Sequence, residues 1–279
     1  VAARIERLRP HGGGHDEDTL AVEEPLAIRI ATGTQRQHLA VTMRTPGDDA
    51  ELAVGWLFAE GVVTDRAEIA DISWCARDLG RQDHNAVTVT LRGDALPDLS
   101  SFDRLGPVTS ACGVCGKRSV DAVMAAATGR AAGHTRVDPA VLFDLPERLR
   151  EAQRSFASTG GLHAAAVFDR EGELLGLRED VGRHNALDKL IGAALLDGDL
   201  PWDDRILLLS GRASFELLQK AAMTGVGVVC AIGAPSSLAV DVADRAGITL
   251  VGFLRASGAN VYSGADRLRA PSPLAASAR

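Results

Sequence analysis

The sequence predicts an α/β protein: a mixed, mainly parallel sheet flanked by helices, preceded by a smaller β-rich α+β domain. Three observations carry that prediction. From about residue 137 to 268, short runs of Val, Leu, Ile and Ala alternate with longer stretches of helical period. One hairpin followed by β-α-β-α-β-α-β needs crossover connections, and these make neighbouring strands parallel. Between about 19 and 130 the runs are mostly strand-like, with period-two alternation. The chain's 279 residues are 46% hydrophobic but only 4% aromatic, enough for a sizeable core that must pack through Ala, Val and Leu.

In chain order, residues 1–18, with "PHGGGHDED", read as a flexible solvated tail. Strands follow in "TLAVEEPLAIRI" and "QHLAVTMRT". A helix is expected in "DDAELAVGWLFAEGVV", with Asp48 or Asp49 as its cap and Leu52, Trp56 and Leu57 on one face. Further strands fit "EIADISWCA" and "NAVTVTLRG". A loop with two cysteines comes next, then "KRSVDAVMAAATG", a helix ending at Gly129. Glu23 and Glu24 before Pro25 are read as a carboxylate pair at a solvated strand start rather than as catalytic acids.

In the second half, a helix in "LPERLREAQRSFASTGG" precedes the hairpin "LHAAAVFD"–"LLGLRED". Then come helix "HNALDKLIGAALLDG", strand "RILLLSG", helix "SFELLQKAAMTG", strand "GVVCAIGA", helix "SLAVDVADRAG" and strand "ITLVGFLR". A last short helix is expected near "NVYSGADRL", and residues 269–279 read as a second flexible tail.

Charge and composition exclude several classes. A net charge of −7 argues against nucleic acid as the main partner. Four cysteines are too few for a secreted disulfide scaffold. The first residues lack the apolar core of a signal peptide, and the uncharged run 221–240 is interrupted by Gly, Pro and Ser, as a buried strand and loop would be, not a membrane span. A cytoplasmic protein is expected.

In parallel sheets, ligands sit beyond the carboxyl ends of the strands. There the sequence places "EDVGRHN" (Glu179–Asn185), "SGRAS" (Ser210–Ser214), "GAPSS" (Gly233–Ser237) and "FLRASG" (Phe253–Gly258). Small residues at helix starts turn backbone N–H groups toward an anion, and Arg183, Arg212 and Arg255 add forked cations suited to phosphate. The element order is that of the cytidine deaminase fold, but the zinc ligands of such enzymes are absent. His184 and Asn185 have no glutamate beside them, and "SGRASFE" has no cysteine. His184 is expected to hydrogen-bond a ligand or cap its helix.

The Cys112/Cys115 pair in "TSACGVCGKRS" admits three chemistries. A zinc site needs two more ligands, and no second such pair exists; Cys75 and Cys230 stand singly in apolar runs, where buried thiols are inert, and nothing in the spacing of His84, His134 and His163 favours them. A thioredoxin-like redox pair belongs at the start of a different fold. A persulfide carrier needs a thiolate, which Lys117, Arg118 and the following helix start favour, and Gly113 and Gly116 leave room around sulfur. Spacing alone does not separate the last two.

Together, "EEPL", "SACGVCGK", "GGLHAA", "EDVGRHNALDKLIG", "LLSGRASFELLQKA" and "GFLRASGANVYSG" resemble the formate dehydrogenase accessory sulfurtransferase family (FdhD), from about Glu23 to Gly264. The resemblance implies a cytidine-deaminase-like larger domain (137–268) without zinc or other structural metal, and a smaller domain (19–130) carrying the cysteine loop. It implies a sulfurtransferase that takes sulfur from a cysteine desulfurase as a persulfide. The sulfur passes to the molybdenum (or tungsten) bis(molybdopterin guanine dinucleotide) cofactor of formate dehydrogenase. Cys112 maps onto the persulfide cysteine and Cys115 onto its partner, which either releases the sulfur or shapes the loop. Phe253, Leu254, Arg255, Ala256, Ser257 and Gly258 map onto the cofactor-binding stretch, with Arg212, Arg183 and His184 beside it, and free guanine nucleotides would enter the same site. A homodimer is implied. The competing class is a non-catalytic chaperone that binds the cofactor while the cysteines clamp a loop.

Overall fold

The period-two stretches early in the chain pair as sheet. In the computed structural model, which describes residues 1–74, 85–99, 133 and 136–268, β3 (Glu24–Thr32), β4 (Gln35–Arg44), β5 (Ile69–Trp74) and β6 (Ala86–Leu91) form a four-stranded sheet in the order β4-β3-β6-β5. Alternation puts Leu26, Ile28 and Ile30 of β3 and Val87 and Val89 of β6 on one buried face. Against that face lies α1 (Asp49–Ala59), through Leu52 and Leu57. Asp48 holds its N-cap position in a left-handed backbone but makes no capping hydrogen bond. Asp49 instead takes a forked pair from the buried Arg44, 2.9 Å on each arm. Arg44 also reaches the Glu24 carboxylate at 3.5 Å and Asn85 at 3.3 Å, so the carboxylate pair at 23–24 has a structural member.

The second sheet has six strands in the order β12-β11-β10-β9-β7-β8. These are β7 (His163–Phe168), β8 (Leu174–Asp180), β9 (Ile206–Leu209), β10 (Val228–Ala231), β11 (Thr249–Arg255) and β12 (Gly258–Ser263). The sheet is mixed, as expected, but not mainly parallel: β9, β10 and β11 run parallel, while β7 opposes both β8 and β9, and β12 opposes β11. The sequence marked the hairpin and the crossovers correctly. It did not mark that β7, not β8, is the neighbour of β9, nor that "NVYSGADRL" opens as an edge strand followed by a 3-10 turn (Ala265–Arg267) instead of a helix.

Alternate residues of the six strands face two helical layers. Ala165, Val167, Leu207, Leu209 and Val229 meet α4 (Arg183–Asp197), α5 (Phe215–Met223) and α6 (Ser237–Ala246), in one core with α1 and the smaller sheet. Ala164, Ala166, Phe168, Ile206, Leu208 and Cys230 meet Leu142, Leu145 and Leu149 of α2 (Pro139–Ala152). This helix begins six residues before the expected Leu145, because Asp138 caps it by accepting from the Ala140 N–H at 2.9 Å and Pro139 sits at its first position. It breaks at Gln153 and resumes as the short α3 (Arg154–Thr159).

The halves meet where α1 crosses α4. Gly55 and Gly192 face each other there: a methyl group on Gly55 would strike the Asp188 carbonyl, and one on Gly192 the Glu51 carbonyl. Only glycine permits that approach. Arg178 of β8 grips Glu51 of α1 across the same seam. Beside it, Asp180 is fully buried and accepts from Thr45 N (3.0 Å), Gly182 N (2.8 Å), Asn185 Nδ2 (2.9 Å) and Lys189 Nζ (2.9 Å).

Residues 1–18, expected as a flexible tail, form an antiparallel ribbon of β1 (Ala2–Arg9) and β2 (Gly12–Thr19). The "RIERLR" run has period two, and Arg7 pairs with Asp16 at 2.6 Å, but all of β2 is exposed, which is why its composition reads as unstructured. The ribbon joins the body where Ala21 lies against Gly161.

Candidate functional site

Because β8, β9, β10 and β11 run in one direction and β7 in the other, one edge of the sheet collects four carboxyl ends and the start of β7. All four turns expected to face a ligand lie on this edge. They are stitched together by main-chain bonds. The Gly233 N–H donates to the Gly211 carbonyl (2.8 Å), that of Ser236 to Ala213 (3.0 Å) and that of Phe253 to Gly233 (3.1 Å).

A cleft of about 750 Å³ opens at this edge, a volume typical of small-molecule sites. Arg255 and Ala256 of the expected stretch line it, facing His163, Ser210 and Ile232. The opposite wall comes from α2 and α3: Phe143, Glu147, Arg150, Gln153 and Phe156. One Arg255 nitrogen donates to the carbonyls of Ile232 (2.6 Å) and Leu254 (2.7 Å), fixing the guanidinium at the cleft floor.

The other expected residues divide. Leu254 is fully buried among the core residues beneath the sheet, so its side chain does not reach the cleft; only its carbonyl serves, as the Arg255 anchor. Phe253 is 45% exposed and left-handed (φ 52) at the bulge where β11 leaves its register with β12. Such a conformation in a non-glycine residue costs on the order of 1 kcal/mol. Ser257 and Gly258 lie at the β11–β12 turn, and Arg212 is exposed after β9. Arg183 and His184 open α4 behind His163.

Electrostatics at the α4 start favour negative charge. Burial, then the Arg183 and Lys220 charges, pushes His184 down to about 3, and burial with Arg183 lowers His163. Both rings are neutral at neutral pH. Arg183 Nε is buried without a hydrogen-bond partner. His184 Nε2 lies 3.4 Å from Ser214 Oγ and 3.3 Å from Glu216 Oε2. Serine, histidine and acid thus converge, but on one ring nitrogen, so this is not a nucleophile relay, in which serine and acid must use opposite nitrogens. Behind Glu216, Lys220 pairs with Asp188 at 2.8 and 3.0 Å, both fully buried. Burial would lower the Lys220 ammonium, but the Asp188 and Glu216 carboxylates outweigh it and hold it charged.

No group of three or more His, Cys, Asp or Glu side chains among the described residues is arranged to hold a metal ion. Asn185, next to His184, donates to the Met43 carbonyl (2.7 Å) and to Asp180, locking the seam. Cys230 is fully buried, and burial raises its thiol to about 12, so it is inert as expected. Cys112, Cys115, Cys75, His84, His134, Lys117 and Arg118 lie outside the described residues.

Sequence reasoning missed the α2–α3 wall and His163 as cleft residues. The α2 stretch reads as an ordinary amphipathic helix, and nothing in its pattern marks Phe143 or Gln153 as facing a cavity. For His163, the quoted "GGLHAA" was a signal: it places a histidine at a strand start on the ligand edge.

The family model for the FdhD/NarQ family matches residues 21–269. A sulfur carrier protein FdhD of Streptomyces coelicolor is 51% identical over 270 residues, covering 95% of this chain and 94% of that protein. Proteins of the same name from Nocardia farcinica and Thermoplasma volcanium are 47% and 39% identical, each over at least 94% of both chains. A crystal structure described as a formate dehydrogenase accessory protein, from Desulfotalea psychrophila, superposes with a TM-score of 0.73 at 23% identity, covering 96% of this chain and 99% of that one. It has the same mixed α/β fold.

Proposed function

The chain belongs to the FdhD/NarQ family, and from that premise we propose that it is a sulfur carrier for formate dehydrogenase. In this reading a cysteine desulfurase is the donor, and the molybdenum bis(molybdopterin guanine dinucleotide) cofactor is the substrate that receives the sulfur. The observation that carries the acceptor side is the cleft at the carboxyl edge. It joins an anion-favouring end (Arg255, with Arg183 behind His163) to an aromatic end (Phe143, Phe156). A ligand with phosphates and flat rings needs both. The strand order supports the cytidine-deaminase-like description of the larger domain, with the helix starts given to nucleotide recognition instead of zinc.

The Cys112 thiolate attacks the outer sulfur of the donor persulfide. The donor S–S bond breaks, a new S–S bond forms on Cys112, and the donor cysteine leaves as thiolate; no external electrons are needed. If Cys115 then attacks the Cys112 sulfur, a disulfide forms and the terminal sulfur departs as sulfide, to be taken by the substrate's metal. A thiol reductant resets the pair. The chain thereby acts as a sulfurtransferase, as a homodimer in the cytoplasm. Among the described residues no helix is long and apolar enough to cross a membrane.

Mass spectrometry after incubation with a desulfurase and cysteine tests the proposal. The expected product carries one extra sulfur on Cys112, and Cys112→Ala carries none and fails to mature formate dehydrogenase while folding normally. A Cys112→Ala protein that still supports maturation would return the chain to the chaperone class.

A further inference from the structure

The break between α2 and α3 fixes Gln153 at the aromatic end of the cleft. Its main chain is tied on both sides. The N–H donates to the Leu149 and Arg150 carbonyls (3.1 and 3.3 Å), and the carbonyl accepts from Ala157 (3.1 Å). Gln153 is only 7% exposed, yet its side-chain amide has no hydrogen-bond partner among the described residues and faces the cleft. Its amide atoms are not among the fully buried atoms of the described residues that lack a partner, so they reach solvent through the cleft and are open to a ligand there. The flanking walls are Phe143 and Phe156, flat apolar faces suited to a planar ring.

We propose that Gln153 reads the lactam edge of a planar bicyclic heterocycle held at this end of the cleft. An amide offers one acceptor and one donor side by side. The Gln153 carbonyl accepts from the ring N–H, and its NH₂ donates to the adjacent ring C=O. Guanine and pterin share that edge; adenine, with its ring acceptor beside an amino donor, presents the opposite polarity at its pairing edge. A terminal amide can also turn over to meet the adenine edge, so the choice of a lactam comes from the nucleotide reading of the cleft, and ADP is its control. This assignment rests on the reading of the cleft as a nucleotide site.

Calorimetric titration of the full chain with GDP, a pterin phosphate and ADP tests it, using wild type, Gln153→Leu and the nearly isosteric Gln153→Glu, which keeps the acceptor and loses the donor. Circular dichroism confirms the fold of each. Gln153→Leu is expected to lose about tenfold or more in affinity for the lactam ligand, with ADP no better bound than by wild type. Gln153→Glu, which cannot donate to the ring C=O but can accept from the neighbouring ring amino group, should change affinity for the lactam ligand, and it carries the test alone if the leucine variant does not fold. A loss confined to GDP assigns the guanine end to this pocket; a loss confined to the pterin phosphate assigns the pterin. If wild type binds either ligand and the folded variants bind it equally well, the role of Gln153 is overturned while the nucleotide reading stands. If wild type binds neither, both fall.

Discussion

His184 shows how one residue's surroundings set a pH response. Its folded pKa of about 3 lies below the ordinary histidine value of 6.5, because burial and the Arg183 and Lys220 charges disfavour the imidazolium. The unfolded chain therefore binds a proton on this ring before the folded chain does. Between pH 6.5 and about 3 the unfolded state holds more protons, so stability falls as pH falls through that window. His163, lowered in the same direction, adds to the slope. Urea unfolding of wild type and His184→Asn at pH 7.5 and pH 5 checks this, and the variant is expected to lose less on acidification. A variant with the wild-type slope would locate the response elsewhere. At this scale the sequence was legible where position follows pattern: Arg255 stands at a strand end and His184 at a helix start, as the apolar runs place them. Gln153 was not legible, since whether a helical glutamine faces water or a cavity depends on a wall built by residues distant in sequence.

At the scale of elements, the decisive contact is the crossing of α1 and α4. Neither helix announces it. Gly55 and Gly192 each stand inside an otherwise good helical stretch, where glycine costs about 1 kcal/mol against alanine. The compensation is a close approach of two backbones that no other residue allows. Gly55→Ala should therefore destabilise the chain by more than about 2 kcal/mol despite its higher helix propensity, read as a lowered urea midpoint. A neutral or stabilising effect would mean the helices separate freely. The strand and helix runs themselves were legible because their periods differ. The place of β7 between β8 and β9 was not, because an apolar pattern does not say which strand of a hairpin takes the next neighbour, and β12 was misjudged because its short run, "GANVYS", has too few apolar residues to show a period.

Over the whole molecule, the expected two-domain division meets a single continuous core. Ile28 and Val89 of the smaller sheet, Leu57 of α1, Leu187 of α4 and Val229 of the larger sheet belong to one cluster. Chemical denaturation should accordingly give one transition, coincident by circular dichroism and tryptophan fluorescence, the latter reporting Trp56 and Trp74 in the smaller half together with the fully buried Trp202 in the larger. Two separated transitions would restore independent domains. The change from strand-like runs to alternating strands and helices that suggested the division is real, but it says nothing about which faces meet. The glycine crossing adds a mechanical consequence. With carbonyls pressed against α-carbons and Arg178 bolted across the seam to Glu51, there is no lubricating layer for one sheet to swivel over the other. Domain rotation is thereby removed from the means by which a sulfur donor and its acceptor are brought within reach.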